Sequence, residues 1–514
     1  MDNSALITEG RFKKSTRNIA FSLLSQIIIV LFEALARRFF LQVFASEYLG
    51  LGSTFSSILN ILSFAELGIG SAIVFSLYKP IAENNQSKIR SYMKVYRNTY
   101  WIIGSIVLIF GAALTPFLNL FVKEMPDIPY VQLIYLLFVF QSGIQYFFSY
   151  KITFLNANQQ NYIFQRMQII ASFIKLGLQI LSILIFKNYF MYLGSAILVI
   201  IVLDLVCSIF VNKKYPFIKG KAEKLEKEEV EHLKKNVFAL LLYRVGNTLL
   251  VTIDTIVISK MLGIIPAAIY ANYHLIITYS DTFFVTVLGT ITPSLGNFMV
   301  GADADKKREL FKRLQNVYSW ITTLVGVGMI VCFNPLISSW LGDKYLLDQS
   351  IVVMLVISLS LTNFQRPCSL IRDANGLFWY GKLRPLIMAI INIVASVILT
   401  YFFGMIGVVI GTIIAKLSTF VWYDPYIVYK HVFIKGLAEY FYDYIEKWII
   451  FLLLAIVCVA LCNKLPFVGW INFFAKAIIV TIIVNLAYIN ILKRTGEYIY
   501  LKDHLFNIFK KSKS

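Results

Sequence analysis

The chain has 514 residues, 58% of them hydrophobic and 15% charged, with 48 Lys and Arg against 28 Asp and Glu. Soluble domains run nearer about 25% charged, so an ordinary soluble enzyme is excluded. The formal net charge of +20 would point to nucleic acid in a soluble chain, but here the basic residues sit mainly between apolar runs, so they read as membrane topology and no nucleic-acid partner is expected.

The N-terminal segment MDNSALITEGRFKKSTRN is polar and basic. The apolar run after it is too long for a signal-peptide core and lacks a small-residue cleavage site, so removal is not expected. A helix needs about 20 mostly apolar residues to cross a bilayer. About fourteen such runs follow in order: 19–44, 50–77, 99–122, 130–150, 167–186, 190–211, 237–259, 266–292, 317–341, 350–370, 385–403, 405–423, 448–462 and 471–492. Two of these, 405–423 and 448–462, are among the shortest, giving a range of twelve to fourteen.

Loop charge tests the count. The odd-numbered loops read ASEYLG, KEMPDIP, KNYF, KMLGII, GDKYLLD, GM and NKLPFVG, each with one Lys or none. Loops on the other side carry KPIAENNQSKIRSYMKVYR, KKYPFIKGKAEKLEKEEVEHLKK, DADKKRELFKR and RDANGLFWYGKLR, and the tail ends KKSKS. A missed span would invert this alternation, so both termini are expected in the cytoplasm. Within the basic loops, IRSYMKVYRNTY and KRELFKRLQNVYSW place apolar residues at helical spacing and read as interfacial helices on anionic lipid.

The two halves resemble each other in order. Gly50 in EYLGLGSTF and Gly263 in KMLGIIPAA stand 213 residues apart, Pro116 and Pro335 stand 219 apart, and Asn158 and Asn375 stand 217 apart. The basic loop near 79–97 returns near 303–313. Such an offset spans six helices, so both copies face the same way. The predicted fold is therefore all-α and polytopic: two six-helix bundles in parallel repeat around a central cavity, plus a C-terminal helix pair. The boundaries are 1–214 for the first bundle, 215–236 for a charged linker and 237–424 for the second bundle. A connector with the extra pair covers 425–492, and a basic tail 493–514.

Charges at bilayer depth cost roughly 2.5–3.5 kcal/mol each, so each needs a reason. Glu33 and Arg37 lie one helical turn apart in the first run and can pair. Arg37, Lys175, Arg244 and Lys416 give the interior a surplus of cations, a cavity suited to an anionic head group. Glu66 and Asp281 stand 215 residues apart, an acid at one place in both halves; with Asp254 they are the candidates for ion coupling, to H⁺ or Na⁺. No cofactor is expected. There is no GxxxxGK[ST] phosphate loop, no GxSxG nucleophile elbow, and the four His (His232, His274, His431, His504) show no metal spacing. The five cysteines Cys207, Cys332, Cys368, Cys458 and Cys462 read as small apolar residues.

Three stretches, EYLGLGSTFSSILNILSFAELGIGSAIVFSLYKPIAE, IDTIVISKMLG with AIYANY, and RDANGLFWYGKLRPLIMAIINIVASVILT with GMIGVVIGTII, resemble the polysaccharide transporter branch of the multidrug/oligosaccharidyl-lipid/polysaccharide flippase superfamily. The resemblance spans roughly 15–492 and has no single catalytic signature. It implies a bacterial plasma-membrane flippase that carries an undecaprenyl-pyrophosphate-linked oligosaccharide from the inner to the outer leaflet by alternating access. It would serve capsule, O-antigen, exopolysaccharide or teichoic-type polysaccharide synthesis, as a monomer working beside the glycosyltransferases and polymerase of the same pathway. It also implies a cationic lumen with a few acids, to which Arg37, Glu66, Arg244 and Asp254 correspond by position. Two other readings stand beside it. A multidrug/cation antiporter of the same superfamily would want carboxylates in the cavity, and a membrane glycosyltransferase or polymerase would want a sizeable outer loop.

Overall fold

The computed structural model describes residues 24–63, 69–220, 222–223, 225–289, 303–375, 377, 380–434 and 436–494. Among these there is no strand. The helices are α1 (24–43), α2 (Ser46–Leu62), α3 (Ile69–Ala82), α4 (Gln86–Ala113), α5 (Val131–Ala157), α6 (Asn161–Phe186), α7 (Tyr189–Lys214), α8 (Lys227–Met261) and α9 (Ile264–Gly289). They continue with α10 (Ala304–Leu341), α11 (Gln349–Ala374), α12 (Arg384–Phe403), α13 (Met405–Phe433), α14 (Leu437–Cys462) and α15 (Gly469–Arg494). Among the described residues each predicted apolar run lies mainly on a helix, the run at 50–77 being shared between α2 and α3, and the run at 99–122 ending beyond α4 in a short 3-10 turn, Thr115–Leu120. Nine helices among the described residues are long and apolar enough to cross a membrane by length and composition.

The chain divides into two compact units, Met1–Thr286 with Lys382–Ile393, and Val287–Gly381 with Val394–Ser514.

In the first unit the core runs along α4. Ile89, Met93, Tyr96, Tyr100, Ile103 and Val107 recur every three or four residues, a single apolar seam. It is covered by Ile73 and Leu77 of α3, Tyr146 and Phe154 of α5, and Cys207 and Val211 of α7. Tyr96 donates to Thr153 Oγ1 at 3.0 Å. This corrects the interfacial reading of IRSYMKVYRNTY. The apolar face of that stretch is buried in the protein, under Phe217, Ile218 and Leu225 as well, and the stretch is the first part of one continuous helix, α4. KRELFKRLQNVYSW is likewise the first half of α10. At 1.5 Å per residue α4, α8 and α10 measure about 42, 52 and 57 Å, longer than the roughly 30 Å hydrocarbon core of a bilayer. The second half of the charged linker, from Lys227, is already helix α8.

Gly50 marks a close helix approach in the first unit, since a Cβ there would sit 2.2 Å from the Ile264 carbonyl oxygen. In the second unit Gly407 and Gly411, four apart in GVVIG, let α13 lie against α12. A Cβ at Gly407 would meet Leu399 O at 2.2 Å, and one at Gly411 would meet Ser396 N at 2.5 Å. Gly411→Leu should therefore cost on the order of 1–3 kcal/mol through overpacking, read as a lower melting temperature of the full chain in detergent. A melting temperature within error of the parent would rule out this packing.

The trailing helix pair docks within the second unit. Tyr488 of α15 hydrogen-bonds Ser319 and Thr323 of α10 at 2.8 and 2.9 Å, and Trp320 Nε1 donates to Asn485 Oδ1 at 3.0 Å. Tyr440 of α14 donates to Gln365 Oε1 of α11 at 2.6 Å. Such bonds act as polar glue between helices that lipid surrounds.

Candidate functional site

A cavity of about 290 Å³ opens inside the first unit. Its walls follow from helical spacing. On α1, Glu33, Ala36, Arg37 and Phe40 recur at i, i+3, i+4 and i+7 and so share one face. On α2 the same periodicity presents Tyr48, Leu49, Gly52, Ser53 and Ser56, and on α6 Lys175 and Gln179 stand one turn apart. Phe138 of α5 and Tyr189, Tyr192 and Leu193 of α7 complete the lining.

The charges in it are two cations and one carboxylate. Lys175 Nζ lies 3.6 Å from Glu33 Oε1, and the Tyr279 hydroxyl also donates to Glu33. Arg37 donates through Nη1 to the Ala271 carbonyl and to Asn272 Oδ1, each at 3.1 Å, which fixes the guanidinium against α9. Arg38, next in sequence and about 100° round the helix, is exposed instead. The same lining carries a cluster of aromatic rings. Tyr48 and Tyr189 have ring centroids 4.4 Å apart, Tyr189 and Tyr192 stack at 6.1 Å, and Phe40 lies 5.0 Å from Tyr192. Two cations and several phenol rings in one lining can hold an anion joined to a ring with apolar C–H faces.

Of the residues singled out in the sequence, Arg37 and Lys175 are brought together here. Glu33 joins them, and the other described candidates are not in this lining. Asp254 of α8 is buried, with Tyr270 donating at 3.5 Å and Asn392 at 3.4 Å. Asp281 of α9 is half-buried and Arg244 of α8 is exposed. Lys416 belongs to the second unit, where its Nζ donates to Ser358 O at 2.7 Å and Ser358 Oγ at 2.9 Å. It opens a π-turn, Lys416–Phe420, within α13, an irregularity found often where helices carry function. Glu66 falls outside the described residues. Sequence reasoning paired Glu33 with Arg37; in the structure Glu33 turns to Lys175 and Tyr279. It missed the tyrosine cluster, whose signal was Tyr189 and Tyr192 three apart at the start of a span. Among the described residues no group of three or more His, Cys, Asp or Glu could hold a metal ion.

No protein-family model matches the sequence, and no curated protein matches it. Solved structures do match in shape. The lipid II flippase MurJ in an inward closed conformation aligns with a TM-score of 0.66 at 16% identity, covering 93% of this chain and 98% of that one. An inward-facing multidrug resistance MATE family transporter of the MOP superfamily aligns with a TM-score of 0.61 at 14% identity, covering 79% and 97%. The Vibrio cholerae MATE transporter VcmN, in a mutant form, aligns at 0.58 with 14% identity, covering 82% and 98%. The chain has the fold of these transporters. With its long apolar helices it is a multi-pass membrane protein.

Proposed function

We propose that this chain is a flippase of the MOP superfamily that moves an undecaprenyl-pyrophosphate-linked oligosaccharide from the inner to the outer leaflet of a bacterial plasma membrane by alternating access. The observation that carries this reading is the cavity of the first unit, whose lining holds Arg37 and Lys175 against one carboxylate, Glu33, together with three tyrosines. A diphosphate wants fixed cations, and a sugar ring wants aromatic faces beside it. The greater reach of the alignment with the lipid II flippase, 93% of the chain against 79% for the MATE transporter, supports it too. Moving an anion outward down an inside-negative potential is favoured by roughly 2.3 kcal/mol per charge per 100 mV.

The proposal includes its setting: cell-surface polysaccharide synthesis beside the glycosyltransferases and polymerase of that pathway, a monomeric carrier, both termini cytoplasmic, and substrate left chemically unchanged. Arg244 and Lys416 are assigned to the anion path, and Asp254, Asp281 and Glu66 to coupling with H⁺ or Na⁺. If Asp254→Asn and Asp281→Asn leave transport and its ion dependence intact, the coupling part is wrong.

A multidrug antiporter is the second reading, favoured by the MATE likeness. Ligand stabilisation of the purified full chain separates the two, because a ligand that binds only the folded state at about 100 times its Kd adds about 2.7 kcal/mol. A short-chain polyprenyl diphosphate sugar should raise the melting temperature by several degrees and a lipophilic cationic dye should not. The reverse outcome would install the antiporter reading.

A further inference from the structure

The basic loops of the two halves differ in one respect. Arg90 and Arg97 of α4 and Lys151 of α5 stand 218, 216 and 215 residues before Arg308, Arg313 and Arg366. In the second unit the first two of these positions are neutralised, Arg308 by Glu439 and Arg313 by Glu309 at 2.5 Å. In the first unit no carboxylate takes that part for Arg90, Arg97 or Lys151 among the described residues. Arg97 has only the Asn98 side chain, at 3.4 Å, and the Trp101 ring, 5.5 Å from its Cζ. Lys151 Nζ lies 5.4 Å from the Tyr150 ring, and both Arg97 and Lys219 are within electrostatic range of Lys151. Arg90 holds a buried Nε with no acceptor, and its Nη1 lies where a Cβ on Gly220, the residue after Lys219 in the chain, would be 2.6 Å away.

Four cations thus converge from α4, α5 and the turn after α7, Pro216–Lys219, at the end of the first unit that loop charge assigns to the cytoplasm. Bringing like charges together opposes folding, so the cluster is expected to serve an anion. The aromatic neighbours fix its depth. Trp101 is half exposed and Tyr150 half-buried, ring types that settle at the membrane–water interface, where lipid phosphates lie. Arg and Lys at that depth suit a phosphate monoester or diphosphate on a lipid.

We infer that Arg90, Arg97, Lys151 and Lys219 form a binding site for the phosphate head group of a membrane lipid, separate from the Arg37–Lys175 cavity. The inference stands independently of the flippase reading, because its ligand is defined by charge and depth alone.

The test uses the full chain in phosphatidylcholine nanodiscs, titrated with a short-chain phosphatidylglycerol in one arm and a short-chain polyprenyl diphosphate in the other. Binding is read by fluorescence of a labelled lipid. The paired change Arg97→Gln with Lys151→Gln should weaken binding at least tenfold and flatten its dependence on salt. Arg97→Lys with Lys151→Arg should retain it, and Arg313→Gln in the second unit should leave it unchanged. Loss confined to the diphosphate marks the site as one for isoprenoid carriers, and loss in both arms as one for anionic lipid generally; either supports the inference. Unchanged binding of both lipids in the double Gln variant overturns it, as does equal loss in the charge-retaining variant or in Arg313→Gln.

Discussion

Replacing Asp424 with Ala should destabilise the protein toward the lower end of about 3–5 kcal/mol, because it removes one of the two carboxylates that hold the buried Arg372 guanidinium while Asp373 remains. Both side chains are buried, Arg372 at 1% and Asp424 at 0% exposure. Arg372 Nη1 reaches both Asp424 oxygens at 3.0 Å, Ser369 Oγ donates to Asp424 Oδ2 at 2.8 Å, and Arg372 Nη2 reaches Asp373 Oδ1 at 2.8 Å. The pair ties α11 to α13 in the second unit. Removing both charges behaves differently: Arg372→Met with Asp424→Leu takes out the two fully buried ions together, the Asp373 that also paired with Arg372 being part-exposed, and replacement of such a buried pair by apolar residues is often neutral. Thermal unfolding of the full chain in detergent should place the single variant far below the parent and the double variant between them. A single variant that melts with the parent would mean that water or lipid head groups already solvate Arg372.

The second large effect falls on transport. On the flippase reading proposed above, Arg37→Gln and Lys175→Gln each remove a positive charge from the cavity that would receive the anion. Hydrogen bonds to charged groups contribute about 1.5–3 kcal/mol, so each change should lower transport of an anionic lipid-linked sugar about ten- to a hundredfold. Arg37 also holds Ala271 and Asn272 of α9, so its loss acts on structure as well. Lys175→Gln is the cleaner variant, since its ion pair is with Glu33 inside the cavity. Lys175→Arg should keep most of the rate. If Lys175→Gln left transport of an anion unchanged but raised that of a cation, the cavity would be selecting for positive charge.

Much of the fold was legible because a bilayer imposes a length and a polarity on every crossing segment, and among the described residues every predicted run lies mainly on a helix. The helix ends were not. IRSYMKVYRNTY carries the same pattern whether its apolar face meets lipid or α5 and α7, so periodicity alone could not choose, and tertiary packing decided it. The cavity was half legible. Arg37 and Lys175 stood out as charges in apolar runs, since burial of a charge demands a reason. Tyr48, Tyr189 and Tyr192 did not, because tyrosines near the start of a span are as easily interfacial anchors as a binding wall. Their convergence depends on how α2 and α7 pack. Lys416 and Arg37 looked alike in sequence, each a cation within a span, yet Lys416 is engaged by Ser358 at a π-turn and Arg37 lines the cavity.

The most direct test of the flippase reading is a leaflet-exchange assay. The purified full chain is reconstituted into liposomes carrying a fluorescent short-chain polyprenyl diphosphate oligosaccharide, and the fraction open to an impermeant quencher is followed under a potential negative on the donor side. The account predicts exchange that depends on the protein, speeds up with the potential and falls at least tenfold in Lys175→Gln. Exchange no faster than in protein-free liposomes, together with accumulation of a fluorescent organic cation by the same vesicles, would contradict it.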